Sequence, residues 1–550
     1  MERILNQLVH IIRQLHSHVP EQKLKHIDMI SPQDRKEIQE WNSVESIVAD
    51  TCVHYLFEQR AQKSPNATAV HAHDGDFTYK ELDDLSSRLA QHLSKSGVKN
   101  AFVAVCFEKS KWAVLTMMAV LKAGAAIVPL DHSHPVMRLK SIIEDSDAEL
   151  VLCSPAQQEL LKQTGTTVFV VDATSLGNIP LATSTTRERV SSSSAAFVFF
   201  TSGSTGLPKG IIITHTAYCT SARSHSKALR INEESRVMQF AAYTYDVSVG
   251  EIFTTLICGG CICVPSNHDR VNNLAAAIQR MGVTWMFLTP SVAGLLQPED
   301  VPNLKTLVLG GEPATKQNFI TWANGVYLIN SYGPAECSIW THCNPGVSRD
   351  TSIGYIGKNI NGISWITDAE DPTKLAPIGT VGELLIEGPV LARGYLNDQA
   401  KTEAAFIEAP AWYSANTGRK APKLYRTGDL VKYDSNGGII ILGRRDTQVK
   451  LRGQRVELGE IEFHIQRSLP KHVEVIVDVI KHSNSNHSVL MAFICGGHYD
   501  GKMQQQDSEN LAAPQSLQEV YPEVGLQLSS YLPRHMIPSI FVPITTMPLT

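Results

Sequence analysis

Between residues 101 and 265, short apolar runs alternate with longer segments of helical period. VAVCF, ELVLC, TVFVV and AAFVFF are bounded by polar or turn residues, whereas KWAVLTMMAVLKAG carries apolar positions at the spacing of a buried helix. Fully apolar strands alternating with helices imply βαβ units and sheets covered on both faces. From Gly382 the runs shorten and meet Gly and Asp turns, in GELLIEGPV and GGIIILGRRDTQVKLRG. This predicts a β-rich, barrel-like part followed by a hinge. At the N-terminus Ile4, Leu8, Ile11, Ile12 and Leu15 recur at helical spacing and the pattern breaks near Pro20, so one amphipathic helix packed on its own domain is expected over 1–15. The polar run 498–516 predicts a mobile loop, and no internal repeat is present.

Composition narrows the class. A chain of 550 residues exceeds what one core fills, so at least two folded units are expected. With 49 basic and 54 acidic residues the net charge is −5, which gives no reason to expect nucleic acid or an anionic membrane as a partner. The longest apolar run, 115–130, is interrupted by Lys122 and followed by Asp131, and the first thirty residues lack a signal-peptide pattern. Together these point to a cytoplasmic protein. The 10 cysteines form neither paired knuckles nor a compact framework, so buried reduced thiols are expected rather than disulfides or zinc.

The strongest chemical signal is FVFFTSGSTGLPKGIIITHTA, in which an apolar strand runs into Thr201, Ser202, Gly203, Ser204, Thr205 and Gly206 and then Lys209. Small residues let backbone N–H groups close on phosphate oxygens, the hydroxyls add donors, and Lys209 adds positive charge. The spacing is not that of the Walker loop. Here the chain resembles the adenylate-forming enzymes, a superfamily that includes acyl-CoA ligases, luciferases and the adenylation domains of nonribosomal peptide synthetases. The resemblance recurs in order through TYKEL, LKAGAAIVPLD, NSYGPAE, GELLIEGPVLARGYLND, YRTGDL, GRRDTQVKLRGQRVELGEIE and LPRHMIPS.

It implies an α/β fold: a large domain of αβ-layered sheets with a β-barrel-like part over 31–445, and a small mobile α+β subdomain over 446–550. ATP and Mg2+ are the implied cofactors. Tyr332, Gly333 and Pro334 would form a platform for adenine, with Ile441 on its other face and Asn330 reading the exocyclic amine. Glu336 would hold Mg2+, Asp429 the ribose hydroxyls, and Arg444 the ribose and phosphates. Asp446 matches the hinge about which the small subdomain turns between two half-reactions. Lys450 matches the lysine that faces the site in the second of them, and Ala335 stands where relatives usually carry Thr.

Acyl-CoA ligases share the phosphate loop, so the substrate class is decided elsewhere. QVKLRGQRVE looks like the peptide-synthetase form, and FAAYTYDVSVGEIF places Asp246 where that family binds an α-ammonium. A buried carboxylate in an apolar cleft suits an amino acid, whereas a fatty acid would leave the charge unpaired. The family's remaining pocket positions fall on Val247, Gly250, Phe287, Val308, Gly310, Ser331, Ile339 and Trp340. Two glycines on the wall imply room for a large side chain, such as an aromatic amino acid or a fungal siderophore unit like N5-acyl-N5-hydroxyornithine. The acyl group would pass to the phosphopantetheine thiol of a downstream carrier domain. Residues 1–30 resemble the junction with a preceding condensation domain, and the chain stops where the family continues to a final lysine. An acyl- or aryl-CoA ligase and a catalytically silent nucleotide-binding scaffold remain the alternatives.

Overall fold

The computed structural model describes residues 2–17, 23, 27–43, 47–180, 189–203, 208–418, 421–451, 453–469, 473–481, 488–495 and 522–544. Ser204, Thr205 and Gly206 of the phosphate loop and the expected mobile loop at 498–516 lie outside these residues.

Two large sheets carry the chain. One has seven strands, with Phe102–Cys106, Ala126–Leu130, Leu150–Cys153 and Thr167–Val170 in parallel, and Ala195–Thr201 joined to them beside Ala126–Leu130. The strand Lys209–Thr214 returns antiparallel to Ala195–Thr201, so the phosphate loop is the connection of a hairpin. The helix Lys111–Lys122 touches strands of both sheets, which is why ten of its twelve residues are buried and its pattern is apolar all round. Ser110 caps its first turn, and a reciprocal Thr78–Glu81 capping box starts the neighbouring helix Tyr79–Lys95.

The second sheet has 14 strands. The parallel strands Trp285–Leu288, Thr306–Leu309 and Tyr327–Tyr332 run into antiparallel ones, His342–Pro345, Tyr355–Asn359, Ile439–Arg444, Lys423–Tyr433, Gly382–Glu387 and Ile363–Thr367. The run of antiparallel strands therefore begins at His342 rather than at Gly382. YIGKN and ISWIT are short and lack the clean alternation that marks a half-buried strand.

After Arg444 come a two-stranded hairpin, Gln448–Leu451 with Gln454–Glu457, and a three-stranded sheet of Glu474–Lys481, Ser488–Cys495 and Ile540–Ile544. A separate apolar cluster, with Val456, Ile461, Ile465, Leu490, Leu528 and Phe541, holds this part together. The N-terminal helix forms as expected, over Glu2–Ser17, but none of its residues is buried. Polar side chains tie it down, through Gln7 to Asp34, Gln14 to Asp28, and Arg3 to Asp34 and Glu37. Among the described residues no helix is long and apolar enough to cross a membrane.

Candidate active site

A cavity of about 930 Å³ opens where the chain leaves the carboxyl ends of Ala195–Thr201, Trp285–Leu288 and Tyr327–Tyr332, and the hairpin covers it. Of the residues singled out from the sequence, Thr201, Ser202, Asp246, Phe287, Tyr332, Gly333, Pro334, Ala335, Asp429, Arg444 and Lys450 border it. Lys209 and Glu336 stand just outside the wall, beside the phosphate loop.

At one end the charges come in pairs. Glu336 is fully buried and accepts Arg455 Nη1 at 3.1 and 3.2 Å and the Tyr395 hydroxyl at 3.0 Å. Burial alone would raise its carboxyl, but Arg455 and Lys209 outweigh it and hold the group at about 2. The Lys209 ammonium lies 3.7 Å from Glu457 and 5.1 Å from the centre of the Tyr395 ring, and burial lowers its pKa. Asp429 accepts Arg444 Nη1 at 2.8 Å and the Tyr332 hydroxyl, while Arg444 also grips both oxygens of Asp446 at 2.6 Å. Asn330 donates its amide to Tyr355 O, and Ile441 is half-buried nearby, bonded through its N–H to Gly354 O.

Arg455 was not singled out from the sequence, nor were the other contacts that seat the hairpin. The Ser202 hydroxyl donates to Arg455 O at 2.9 Å and accepts the Glu457 N–H at 3.0 Å. Glu460 accepts the Gly203 N–H at 3.1 Å and the buried Arg138 at 2.7 Å. Ser202 and Glu336, expected at the phosphates and the metal, are thus engaged by the hairpin in this orientation, and Gly203 by Glu460 on the helix Leu458–Arg467 that follows it. It also carries Lys450 into the cavity, where burial lowers the lysine's pKa. Thr201 Oγ1 is buried and without a hydrogen-bond partner among the described residues.

The other end is apolar. Asp246 is 7% exposed, takes one hydrogen bond from the Val247 N–H at 2.9 Å, and among the described residues meets no cation within ion-pair distance. Burial raises its carboxyl from 3.8 to about 7. A buried network braces the segment that carries it: Glu251 accepts the Ala241 N–H and the Gln239 amide, and Lys109 donates to Gln239 and to Ala241 O. Neither Lys109 nor Glu251 stands out in the sequence.

Around Asp246 the packing corrects the inference of a roomy pocket. Only Phe287 among the remaining family positions borders the cavity; Val247, Gly250, Val308, Gly310, Ser331, Ile339 and Trp340 do not. A Cβ on Gly250 would lie 2.5 Å from Trp340 Cζ3, and one on Gly310 would lie 2.8 Å from Ser331 Oγ and 2.9 Å from Phe287 Cε2. Both glycines admit neighbouring side chains rather than substrate. Gly333 has a different reason to be Gly, since its Cβ would stand 1.8 Å from Ile339 O.

The sequence profile of AMP-binding enzymes matches residues 57–396, more than half of the chain. The chain belongs to the AMP-binding enzyme family. It is an adenylate-forming ligase domain whose relatives are fungal peptide synthetases. It is 47% identical over its whole length to the nonribosomal peptide synthetase GRA1 of Gibberella zeae, covering 7% of that protein. It is 44% identical, again over its whole length, to the N-benzoylphenylalaninol synthetase apmA of Penicillium brevicompactum, covering 23%. The chain thus spans well under half the length of these relatives. Its fold is that of solved adenylation domains. An adenylation–carrier fusion, NpsA–ThdA from Klebsiella oxytoca, superposes with a TM-score of 0.76 at 23% identity over 90% of this chain and 93% of that one. AlmE of Vibrio cholerae, solved with glycyl-adenosine-5′-phosphate, gives 0.74 at 24% identity over 92% and 97%.

Proposed function

We propose that this adenylation domain activates an α-amino acid with MgATP, forming an aminoacyl-adenylate and pyrophosphate, and passes the acyl group to the phosphopantetheine thiol of a carrier domain. The observation that carries the reading is Asp246: a buried carboxylate on the cavity wall, with no cation within ion-pair distance among the described residues, suits an ammonium group. A fatty or aryl acid would bring nothing to neutralise it, which weighs against an acyl-CoA ligase.

The substrate carboxylate would attack the α-phosphorus in line, with the Thr201 hydroxyl and the Lys209 ammonium stabilising the charge that develops. Asp429 and Arg444 would hold the ribose, with Tyr332, Gly333, Asn330 and Ile441 around the adenine. Magnesium suits Glu336: this buried carboxylate, ionised beside the phosphate loop, would hold the ion, which would supply charge neutralisation to the phosphates. Arg455 occupies that carboxylate in this structure, so the hairpin would have to withdraw before Glu336 could serve another cation, and Asp446 is the hinge we assign to that movement. With the hairpin in place, Lys450 faces the cavity for the transfer step. The boundary between the two moving units falls at residues 445–446.

The apolar face left open on the N-terminal helix supports a condensation domain preceding this one, and ten free cysteines support a reducing cytoplasm. A bulky substrate, aromatic or siderophore-like, loses its support because Trp340 fills the space beside Gly250. We propose a compact side chain ending at Phe287. The test is pyrophosphate exchange across amino, fatty and aryl acids. Exchange with a compact amino acid supports the reading, exchange with only fatty or aryl acids favours the ligase, and no exchange with any acid by a chain that still binds ATP favours the silent scaffold.

A further inference from the structure

Trp340 is 2% exposed and packs against Phe287, the ring that borders the cavity beside Asp246, with centroids 6.0 Å apart. The position of the indole therefore fixes how far Phe287 can retreat from a substrate side chain. On its other side the indole meets the edge of His225, with centroids 4.9 Å apart and planes at 76°. His225 is fully buried in the helix His215–Ala228 and has a partner on each ring nitrogen: Ser221 Oγ lies 3.1 Å from Nδ1 and Thr254 Oγ1 lies 2.8 Å from Nε2. A ring held at both nitrogens has no freedom to turn.

The same polar group fixes the backbone that delivers the indole. Ser221 Oγ donates to Ser338 O at 2.7 Å, and the Asn361 amide donates to Trp340 O at 2.7 Å and to Ser221 Oγ at 2.9 Å. Between these two carbonyls lies Ile339 at φ +83°, preceded by Ser338 at φ +56°. A β-branched residue in the left-handed region persists only where its surroundings over-determine it. The strained turn aims Trp340 into the notch that Gly250 leaves.

We propose that His225, together with Ser221 and Asn361, is a specificity-positioning residue that seats the Trp340 indole beside Gly250 and thereby sets the depth of the side-chain pocket. The proposal rests on the amino-acid reading above and names what limits substrate size at that site. None of these three residues borders the cavity or touches the nucleotide end.

The test uses the full chain and three non-hydrolysable probes, the alanyl, leucyl and phenylalanyl 5′-sulfamoyladenosines, with adenosine 5′-sulfamate as control, titrated by calorimetry. Trp340→Ala should erode the preference for leucyl over phenylalanyl by about tenfold, the scale on which an apolar pocket discriminates. His225→Leu should do the same with control binding unchanged, the double variant should add nothing further, and His225→Gln, which keeps a hydrogen-bonding side chain, should recover part of the preference. If His225→Leu does not fold, His225→Gln against Trp340→Ala carries the comparison. A parental preference in the His225 variants, or additive effects in the double variant, would overturn the proposal. If no aminoacyl probe binds the parent more tightly than the control, the amino-acid reading fails and this inference with it.

Discussion

The two ends of the cavity hold their charges in opposite ways. At the nucleotide end the carboxylates are paired among the described residues: Glu336 has Arg455, and Asp429 and Asp446 share Arg444. At the amino-acid end Asp246 has one backbone N–H and aromatic neighbours. Paired charges can exchange one partner for another, so that end suits a ligand that enters and leaves as polyphosphate. On the proposed reading, an ammonium would remove the cost of holding the unpaired carboxylate, so it would discriminate between acids that carry an ammonium and acids that do not.

The sharpest way to break this contrast is to delete the lone charge. Asp246→Ala should weaken binding of an aminoacyl sulfamoyladenosine by roughly 3–5 kcal/mol while leaving adenosine 5′-sulfamate bound as before. Calorimetry reads both, and equal loss for the two ligands would show that the ends are not independent. Next in size, Lys209→Ala should slow adenylation by about 10²–10³, because it removes a preorganised cation from the developing charge, with little change in amino-acid binding. Single-turnover formation of AMP or aminoacyl-adenylate checks it.

A third way is pH. Burial puts Asp246 at about 7, so the free site is protonated below that, and aminoacyl-probe affinity should fall about tenfold per pH unit from 7 towards 5. Glu336, held at about 2, stays ionised across the same range and should add no slope to control binding. The smallest effect is on stability. The folded Asp246 binds its proton more tightly than the unfolded one, so this group's penalty is full above pH 7 and fades as pH falls towards 4. Asp246→Asn should therefore raise Tm at pH 8 and do so much less at pH 5. A thermal melt series measures the difference.

Legibility follows the same division. The phosphate loop stands out by its own residues, whereas Asp246 and the Asp429–Arg444–Asp446 group are legible only through the family resemblance of the blocks that hold them, since a turn Asp or a surface Arg is ordinary by itself. The helix Lys111–Lys122 is legible because burial between two sheets leaves an unbroken apolar run. Arg455 does not stand out in the sequence because its meaning lies in a partner 119 residues away. The room beside Gly250 was misjudged for a related reason. A sequence shows that a side chain is missing, while only packing shows that Trp340 takes the place. The strands at Tyr355–Asn359 and Ile363–Thr367 were passed over because their neighbours in the sheet, not their own pattern, make them strands.

The central claim is that Asp246 is there for an ammonium, and a double-mutant cycle tests it most directly. The parent and Asp246→Ala are each titrated with leucyl 5′-sulfamoyladenosine and with its analogue lacking the α-amino group. The account predicts that losing the amine weakens binding to the parent by about 10²–10³ and changes binding to Asp246→Ala by far less, giving a large coupling energy. Equal losses in the two proteins would contradict it.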